Sequence, residues 1–364
     1  TDRATVIANM LADLDEVING NYLPTSYDAD NKGRITRWAA MAIKAKIYLF
    51  EGNWTQVKNI TSTIMTEGGF RLFGSYAGLF EIANEYNSEV ILDAQYRPTS
   101  REHQMMYVFL PPTLGGYSQL SPLQELVDSY IMLDGKTIRE TGTSFDESNP
   151  YANRDPRLKA TVMYTGNSYT LADGTEVVIN CEKGEGKDGY GVGSDCSATG
   201  YYIKKYWDNT YRATLYSGLN PILIRYADIL LMNAEALAEL GELDKTAWDA
   251  TIKPIRDRAG FTLASAVEFP EGASKDKLIE IVRNERRSEL ALEGHRHKDI
   301  IRWRIADDVL NGWCHGLKTN EVVGTDNGYV RVENRAFNAN KHYLWPIPQA
   351  ERDLNGNLVQ NPNW

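Results

Sequence analysis

Two short segments share a pattern that constrains the fold of this chain more than any other feature. Residues 45–54 read AKIYLFEGNW, and residues 234–243 read AEALAELGEL. In each, an alanine lies seven positions before a glycine that ends a helix, and an apolar residue follows the glycine by two positions. Alanine lets two helices approach closely, and helix pairs of this kind are the unit of tetratricopeptide-like superhelices. The pattern therefore predicts a mainly α protein built from paired helices.

Apolar residues at three- and four-residue steps extend this prediction to further helices. They predict helices at residues 2–18, 36–50, 53–66, 221–240, 245–259, 275–292 and 298–310. Between the two helical parts, the sequence predicts a strand at 89–96, a short helix at 121–130, a hairpin at 168–179 and long irregular loops rich in tyrosine. The last fifty residues are expected to be mostly irregular.

The expected architecture is a tetratricopeptide-like α-α superhelix with small β hairpins and long loops in the middle. We divide the chain into three regions on this basis. Residues 1–75 form a first helical region, residues 76–220 form an irregular loop and β insert that carries the candidate binding loops, and residues 221–364 form a second helical region.

Composition and motifs exclude several classes of function. The net charge is −10 and no basic stripe is present, which argues against binding to nucleic acid. The chain contains no nucleophile elbow and no P-loop, and its glycine-rich run leads into no helix, so no cofactor is expected. His295 and His297 span a helix stop and HExxH is absent, so no metal site is expected.

A row of carboxylates is the feature that most resembles catalytic machinery. Glu285, Glu289 and Glu293 follow one another at four-residue steps, so they lie on one face of a helix, with Arg286 between them. Glycoside hydrolysis needs two carboxylates that face each other across a cleft. A row interleaved with arginine instead favours an ion-pair network between helices. A glycoside hydrolase that uses Glu289 or Glu293 stays as the less favoured alternative.

The cysteines leave two alternatives open. Cys181 and Cys196 flank a glycine-rich run, and in an oxidising compartment they are able to form a disulfide that closes this loop. The alternative is two unpaired thiols. Cys314 has no partner in this scheme and is expected to be buried.

Six segments in a fixed order resemble a known family, the SusD/RagB family of nutrient-binding outer-membrane lipoproteins. They are NEYNSEVILDAQY (84–96), LVDSYIMLDGKTI (126–138), NRDPRL (153–158), IRYADILLMNAEALAELG (224–241), ERRSELALEGHRHKDIIRW (285–303), and YLWPIPQAE (343–351) with the final QNPNW. The resemblance implies a helical framework that is structural, with binding residues in variable loops.

The resemblance also implies a function. Members of this family capture oligosaccharides at the surface of certain Gram-negative bacteria, and they form a lid on a SusC-like TonB-dependent outer-membrane transporter. They are not enzymes. Members are usually longer and begin with a lipidated cysteine and further N-terminal helices, so we expect this chain to lack that anchor and those helices. The implied location is the outer membrane surface, where an oxidising environment favours the Cys181–Cys196 bridge.

The family's ligand residues do not form a motif, so we infer candidates from their position in loops. Sugars stack their CH faces on aromatic rings and accept hydrogen bonds from polar side chains. The first group of candidates follows residue 95 and comprises Tyr96, Arg97, His103, Tyr107, Tyr117 and Gln119. The second group comprises Trp207, Asn209 and Tyr211. We expect Trp54, Trp303 and Trp345 to pack within the scaffold instead.

A third interpretation assigns no small ligand to the chain. In this alternative, the helical framework is a module that docks a protein partner. The aromatic loops favour oligosaccharide binding over docking.

Overall fold

The computed structural model describes residues 2–210 and 215–364, and its regular structure is mainly helical. The helices are α1 Arg3–Asn19, α2 Arg37–Phe50, α3 Trp54–Glu67, α4 Met105–Phe109, α5 Gln124–Ser129, α6 Pro156–Thr161, α7 Tyr226–Leu240, α8 Lys245–Ala259, α9 Ala264–Val267, α10 Lys275–Glu289, α11 Arg296–Arg302, α12 Ala306–Val309 and α13 Gln349–Leu354.

The strands form small antiparallel sheets. They are β1 Val90–Asp93, β2 Val162–Met163, β3 Ser168–Thr170, β4 Glu176–Val178, β5 Tyr202–Ile203, β6 Ile222–Arg225, β7 Gly312–Lys318, β8 Thr325–Asp326 and β9 Tyr329–Arg335. β1 pairs with β6, β2 with β5 and β3 with β4, and the remaining strands form a three-stranded sheet in the order β7-β9-β8.

The first predicted helix pair is α2 and α3. The hydroxyl of Thr36 caps α2 by accepting a hydrogen bond from the Ala39 amide at 3.3 Å. Ala39, Ala42 and Ala45 are fully buried, so α2 approaches its neighbours closely. α2 packs between α1 and α3, and α3 packs against α7. The small side chains thus set the spacing of the helical layer, as the sequence pattern predicts.

The second helix pair, α7 and α8, contains the most buried helix of the protein's described part. α7 ends at Gly241, whose φ of 73° suits glycine, and the Glu242 amide donates to the Leu237 carbonyl oxygen at 2.8 Å. Asp244 then caps α8 by accepting from the Ala247 amide at 2.8 Å. α7 contacts α3, α8 and α10. The mainly α architecture with small β elements is therefore confirmed.

Two local predictions are wrong. The helix expected at residues 221–240 begins as strand β6, because this apolar run completes a pair with β1 before helix α7 starts. The helix expected at 298–310 is two short helices, α11 and α12. The last fifty residues are mostly irregular, as expected, but they also contain most of the three-stranded sheet, in which β7 pairs with β9.

The hydrophobic core crosses the predicted border between the first and second regions and the border before the third. The core around α2 and α3 includes Ile91 of β1 and Ile229, Met232 and Ala236 of α7. The three-region division stays a prediction about the sequence, but the first helical region shares its core with the third. Among the described residues, no helix combines the length and the apolar character needed to cross a bilayer.

Candidate ligand-binding site

A pair of backbone hydrogen bonds joins the first candidate loop to the segment that follows the second group of candidates. His103 and Ser217 form an antiparallel bridge, in which each amide donates to the other residue's carbonyl oxygen at 2.9 and 3.0 Å. The imidazole Nε2 of His103 lies 2.8 Å from the Leu219 carbonyl oxygen. The segment that follows residue 103 therefore runs beside residues 215–219.

Tyr107 and Tyr117 form an aromatic platform on this surface. Their rings are stacked with centroids 4.2 Å apart, and the Tyr117 amide donates to the Tyr107 carbonyl oxygen at 3.0 Å. Gly116 is needed here, since a Cβ would lie 2.1 Å from the Leu110 carbonyl oxygen. Tyr117 is 40% exposed, and Gln119 is exposed two positions later. A ring held by its backbone and a neighbouring ring presents a rigid face to a ligand.

Two further residues beside the platform escaped the sequence analysis. The amide Nε2 of Gln104 donates to the Tyr216 hydroxyl at 2.7 Å, and Tyr216 is 42% exposed. The two residues are 112 positions apart in the sequence, so no local sequence pattern indicates their contact. The signal that would have found it is the pairing of residues 103 and 217, which no local pattern encodes.

The remaining candidates of the first group serve the loop itself. The Tyr96 ring meets the His103 ring edge to face at a centroid distance of 4.7 Å, and the Arg101 guanidinium lies 5.5 Å from the Tyr96 centroid. Arg97 is exposed and pairs with Arg101 through backbone hydrogen bonds. Tyr96 and His103 are partly buried in these contacts, so a ligand role for them stays a prediction.

The second group of candidates is separated by the structure. The indole of Trp207 donates to the Thr170 carbonyl oxygen at 2.9 Å and packs on the Tyr169 ring at 5.2 Å, so it anchors strand β3. Asn209 is half-buried. Tyr211 lies outside the described residues. Ligand binding by Trp207, Asn209 or Tyr211 stays a prediction.

A cleft lined by tyrosines lies elsewhere, between the middle region and the three-stranded sheet. Its volume is about 480 Å³, and Tyr151, Tyr201 and Tyr329 line it with Gln124. The Tyr201 hydroxyl donates to the Gln124 side-chain oxygen. The sequence analysis missed this cleft because these four residues come from distant segments of the chain.

Both candidate bridge cysteines are free thiols in the structure. Cys181 is buried, and burial raises the pKa of its thiol. The Cys196 thiol lies 3.3 Å from the Lys187 carbonyl oxygen. The structure therefore does not contain the bridge that the sequence allowed. Cys314 is buried as expected.

The tryptophans expected to pack do so in two of three cases. Trp303 is 9% exposed and its indole donates to Glu235 at 2.6 Å, while Trp54 is partly buried against the first core. Trp345 is 75% exposed, so the expectation is wrong for this residue. It lies between β9 and α13, and the centroid of its ring is 6.2 Å from that of His297.

Glu289 lies at the centre of a buried charge network. It accepts from Arg157 at 2.9 Å and Arg225 at 2.6 Å, and it also pairs with Arg258. Burial opposes its ionisation, but the three arginines outweigh burial and hold the pKa of Glu289 well below its usual range. The carboxylate is fully buried and each of its charge partners is an arginine from another segment.

Glu293 belongs to the same charge network. It pairs with Lys205 and Arg225, both at 2.7 Å. Burial is again outweighed, and Arg225 and Lys205 lower the pKa of Glu293 to about 2. Burial lowers the pKa of Lys205 to about 8. The row of carboxylates is therefore an ion-pair network between segments, as the interleaved arginines predicted.

The network is balanced in charge. Its five carboxylates are Glu89, Asp155, Glu285, Glu289 and Glu293, and its five cations are Arg157, Lys205, Arg225, Arg256 and Arg258. A balanced, hydrogen-bonded set tolerates burial, whereas a missing member leaves an uncompensated charge.

His295 makes the stability of the fold depend on pH. Burial, with Arg286 and Lys46 nearby, lowers the pKa of His295 to about 4, although Asp228 and Glu293 act in the opposite direction. The unfolded chain therefore binds more protons than the folded chain between the folded pKa and the ordinary value, so folding weakens as the pH falls through this window. When the pH is lowered from 7 to 4.5, we expect the free energy of unfolding to decrease by about 2 kcal/mol less in the His295→Gln variant than in the wild type.

Urea unfolding at the two pH values measures this difference. His297→Gln is the matched control, because His297 is exposed two positions away. Equal pH dependence of the wild type and the His295→Gln variant would contradict the assignment.

Comparisons with known proteins are consistent with the fold. The profile described as the SusD family matches residues 79–364. SusD-like protein P25 of Formosa agariphila is 28% identical over 99% of this chain and 64% of its own length. A SusD-like protein of Bacteroides ovatus is 24% identical over 83% of this chain and 53% of its own length. The chain thus spans between about half and two thirds of these relatives.

Solved structures agree with these sequence relatives. A SusD-like carbohydrate binding protein from Bacteroides fragilis has a TM-score of 0.85 and 30% identity, with 99% of this chain and 72% of that chain covered. A laminarin binding SusD-like protein has a TM-score of 0.62 and 23% identity, with 100% of this chain and 70% of that chain covered. The second similarity concerns the fold alone.

Proposed function

Because this chain belongs to the SusD family, we propose that it binds oligosaccharides non-covalently at the cell surface and delivers them, uncleaved, to a TonB-dependent outer-membrane transporter. The observation that carries the binding step is the rigid, exposed stack of Tyr107 and Tyr117. Gln104, Gln119 and Tyr216 supply polar groups beside it. The similarity to a carbohydrate binding protein at 30% identity supports this ligand class.

A panel of oligosaccharides tests the binding step. We expect calorimetric titration to detect binding of at least one oligosaccharide, without release of reducing ends. Tyr117→Ala is expected to weaken that binding at least about 30-fold, since a central aromatic contact typically contributes 2 kcal/mol or more. Tyr107→Ala is expected to act in the same direction, because it removes the support of the Tyr117 ring.

Tyr22→Ala is the matched control for these variants. Tyr22 is 66% exposed and lies in the first helical region, so its loss should leave affinity unchanged. Release of reducing ends would contradict the non-catalytic proposal. Binding that survives in both platform variants would move the site elsewhere, and the tyrosine cleft would then be the first place to test.

Delivery to a transporter rests on family membership. We propose a surface-exposed location at the outer membrane, held there by a lipid anchor. The partner would be a SusC-like transporter. Co-purification of the full-length protein with such a transporter from detergent-solubilised outer membranes tests this step, and recovery of the protein in the periplasmic fraction alone would contradict it.

One observation favours the alternative of a protein-docking module. α1 and α2 leave an apolar groove of about 560 Å³, in which Val6, Met10 and Phe50 are 43–45% exposed. Exposed apolar patches commonly mark protein contacts. If the protein binds none of the oligosaccharides in the panel, the result would favour this alternative.

A further inference from the structure

A second cleft begins at Ser121, just after the loop that carries Tyr107 and Tyr117. It lies between the start of α5, the turn from α10 to α11, and β7, and its volume is about 530 Å³. Leu126, Leu290 and Leu292 give it an apolar floor, and Trp313, which is 42% exposed, stands at its rim. Arg287 and Arg296 line one wall, and we name it the arginine cleft after them.

Neither arginine has a carboxylate partner among the described residues. The Arg287 guanidinium donates to the backbone carbonyl oxygen of Glu125. The Arg296 guanidinium contacts the Trp303 ring, at 5.9 Å from its centroid. Burial, and then the neighbouring Arg287, lower the pKa of Arg296 to about 10. A half-buried cation without a counter-charge is costly unless an anion joins it.

Three carboxylates line the cleft with the two arginines, and each is paired with another cation or exposed to solvent. Asp299 is held between Arg286 and Arg302, both at 2.9 Å. The Glu125 carboxylate lies 2.7 Å from the imidazole Nδ1 of His315. Asp308 also lines the cleft and is exposed to solvent. The two arginines therefore leave a site of positive charge beside an apolar floor.

We propose that the arginine cleft binds the anionic group, a carboxylate or sulfate, of an acidic oligosaccharide. Guanidinium groups bind such planar or tetrahedral oxyanions through paired hydrogen bonds, and Trp313 offers its ring to the sugar. The inference rests on the proposed function and names its ligand class. Tyr117 lies four positions before Ser121 at the edge of the cleft, a span of at most about 14 Å. One oligosaccharide is therefore able to reach both the platform and the cleft.

The test uses matched pairs of ligands. Uronic acid oligosaccharides are titrated beside their carboxyl-reduced forms, sulfated oligosaccharides beside their desulfated forms, and inorganic sulfate alone. We expect an acidic form to bind at least tenfold more tightly than its neutral partner, with a preference that decreases as salt is added. Arg296→Gln is expected to abolish the preference. Arg296→Lys should retain part of it, because the charge remains while the paired hydrogen bonds are lost.

Arg139→Gln is the control, since that side chain is 83% exposed and pairs only at the surface with Asp128. Thermal unfolding of each variant shows whether it folds, and Arg296→Lys carries the test if Arg296→Gln does not.

Three results would overturn the inference. The first is equal affinity for the acidic and neutral forms. The second is an acidic preference that is undiminished in every Arg296 variant that folds. The third is binding of inorganic sulfate at Arg296 without binding of any acidic oligosaccharide, which would assign the cleft to a free anion. Neutral oligosaccharides whose binding depends on Tyr117 would uphold the proposed function in each of these cases, so the two failures are distinguishable.

Discussion

Glu289→Ala is expected to lower the free energy of unfolding by about 3–5 kcal/mol, because it removes the common acceptor of three buried arginines. The variant leaves five cations against four carboxylates in a region without access to water. The three arginines that pair with Glu289 cannot lose their charge by deprotonation, because arginine keeps its proton. Urea unfolding at pH 7, followed by far-ultraviolet circular dichroism, measures the loss.

Glu280→Ala is the matched control for Glu289→Ala. Glu280 lies on the same helix, α10, but its side chain is 61% exposed and pairs with Lys277 at the surface. Surface pairs of this kind contribute about 0–1 kcal/mol. Similar losses in the two variants would show that the network does not stabilise the fold.

Trp248→Ala is expected to have an effect of comparable size, about 3–5 kcal/mol, through a different mechanism. Trp248 is 1% exposed, its indole donates to the Val267 carbonyl oxygen at 2.9 Å, and its ring meets Phe269 edge to face. Alanine would leave a cavity between α8 and α9 and an unpaired carbonyl group. The same unfolding experiment measures the change.

Trp345→Ala provides the contrast to Trp248→Ala. Trp345 is 75% exposed, so its loss should change stability by no more than about 0.5 kcal/mol. A large effect at Trp345, or a small effect at Trp248, would contradict the packing described for α8.

The helical framework is predictable from the sequence because its signals are local. Ala45 and Ala234 with their following glycines identify the two helix pairs. The row from Glu285 to Glu293 identifies an ion-pair network, since arginine interleaved with glutamate in an amphipathic helix requires partners on other segments. Only the partners' identities, such as Arg157 and Arg225, depend on tertiary structure.

The binding surface is less predictable because long-range contacts assemble it. Tyr107 and Tyr117 were candidates from loop position, but their stacking depends on the turn at Gly116. Gln104 and Tyr216 meet only through the pairing of distant segments. The sheet of β7 and β9 was missed for a related reason, since its strands show little alternation and are specified by each other.

The β1–β6 pair joins the charge network to the insert that it supports. Glu89 precedes β1 and Arg225 ends β6, and these two residues form an ion pair at 2.7 Å. The chain leaves the framework after β1 and returns to it at β6, and both groups of candidate residues lie between these two strands. Substitutions or insertions in those loops are therefore expected to leave the β1–β6 pair, and the framework that it belongs to, intact. Ligand specificity is then able to change through the loops without a change in the helical framework.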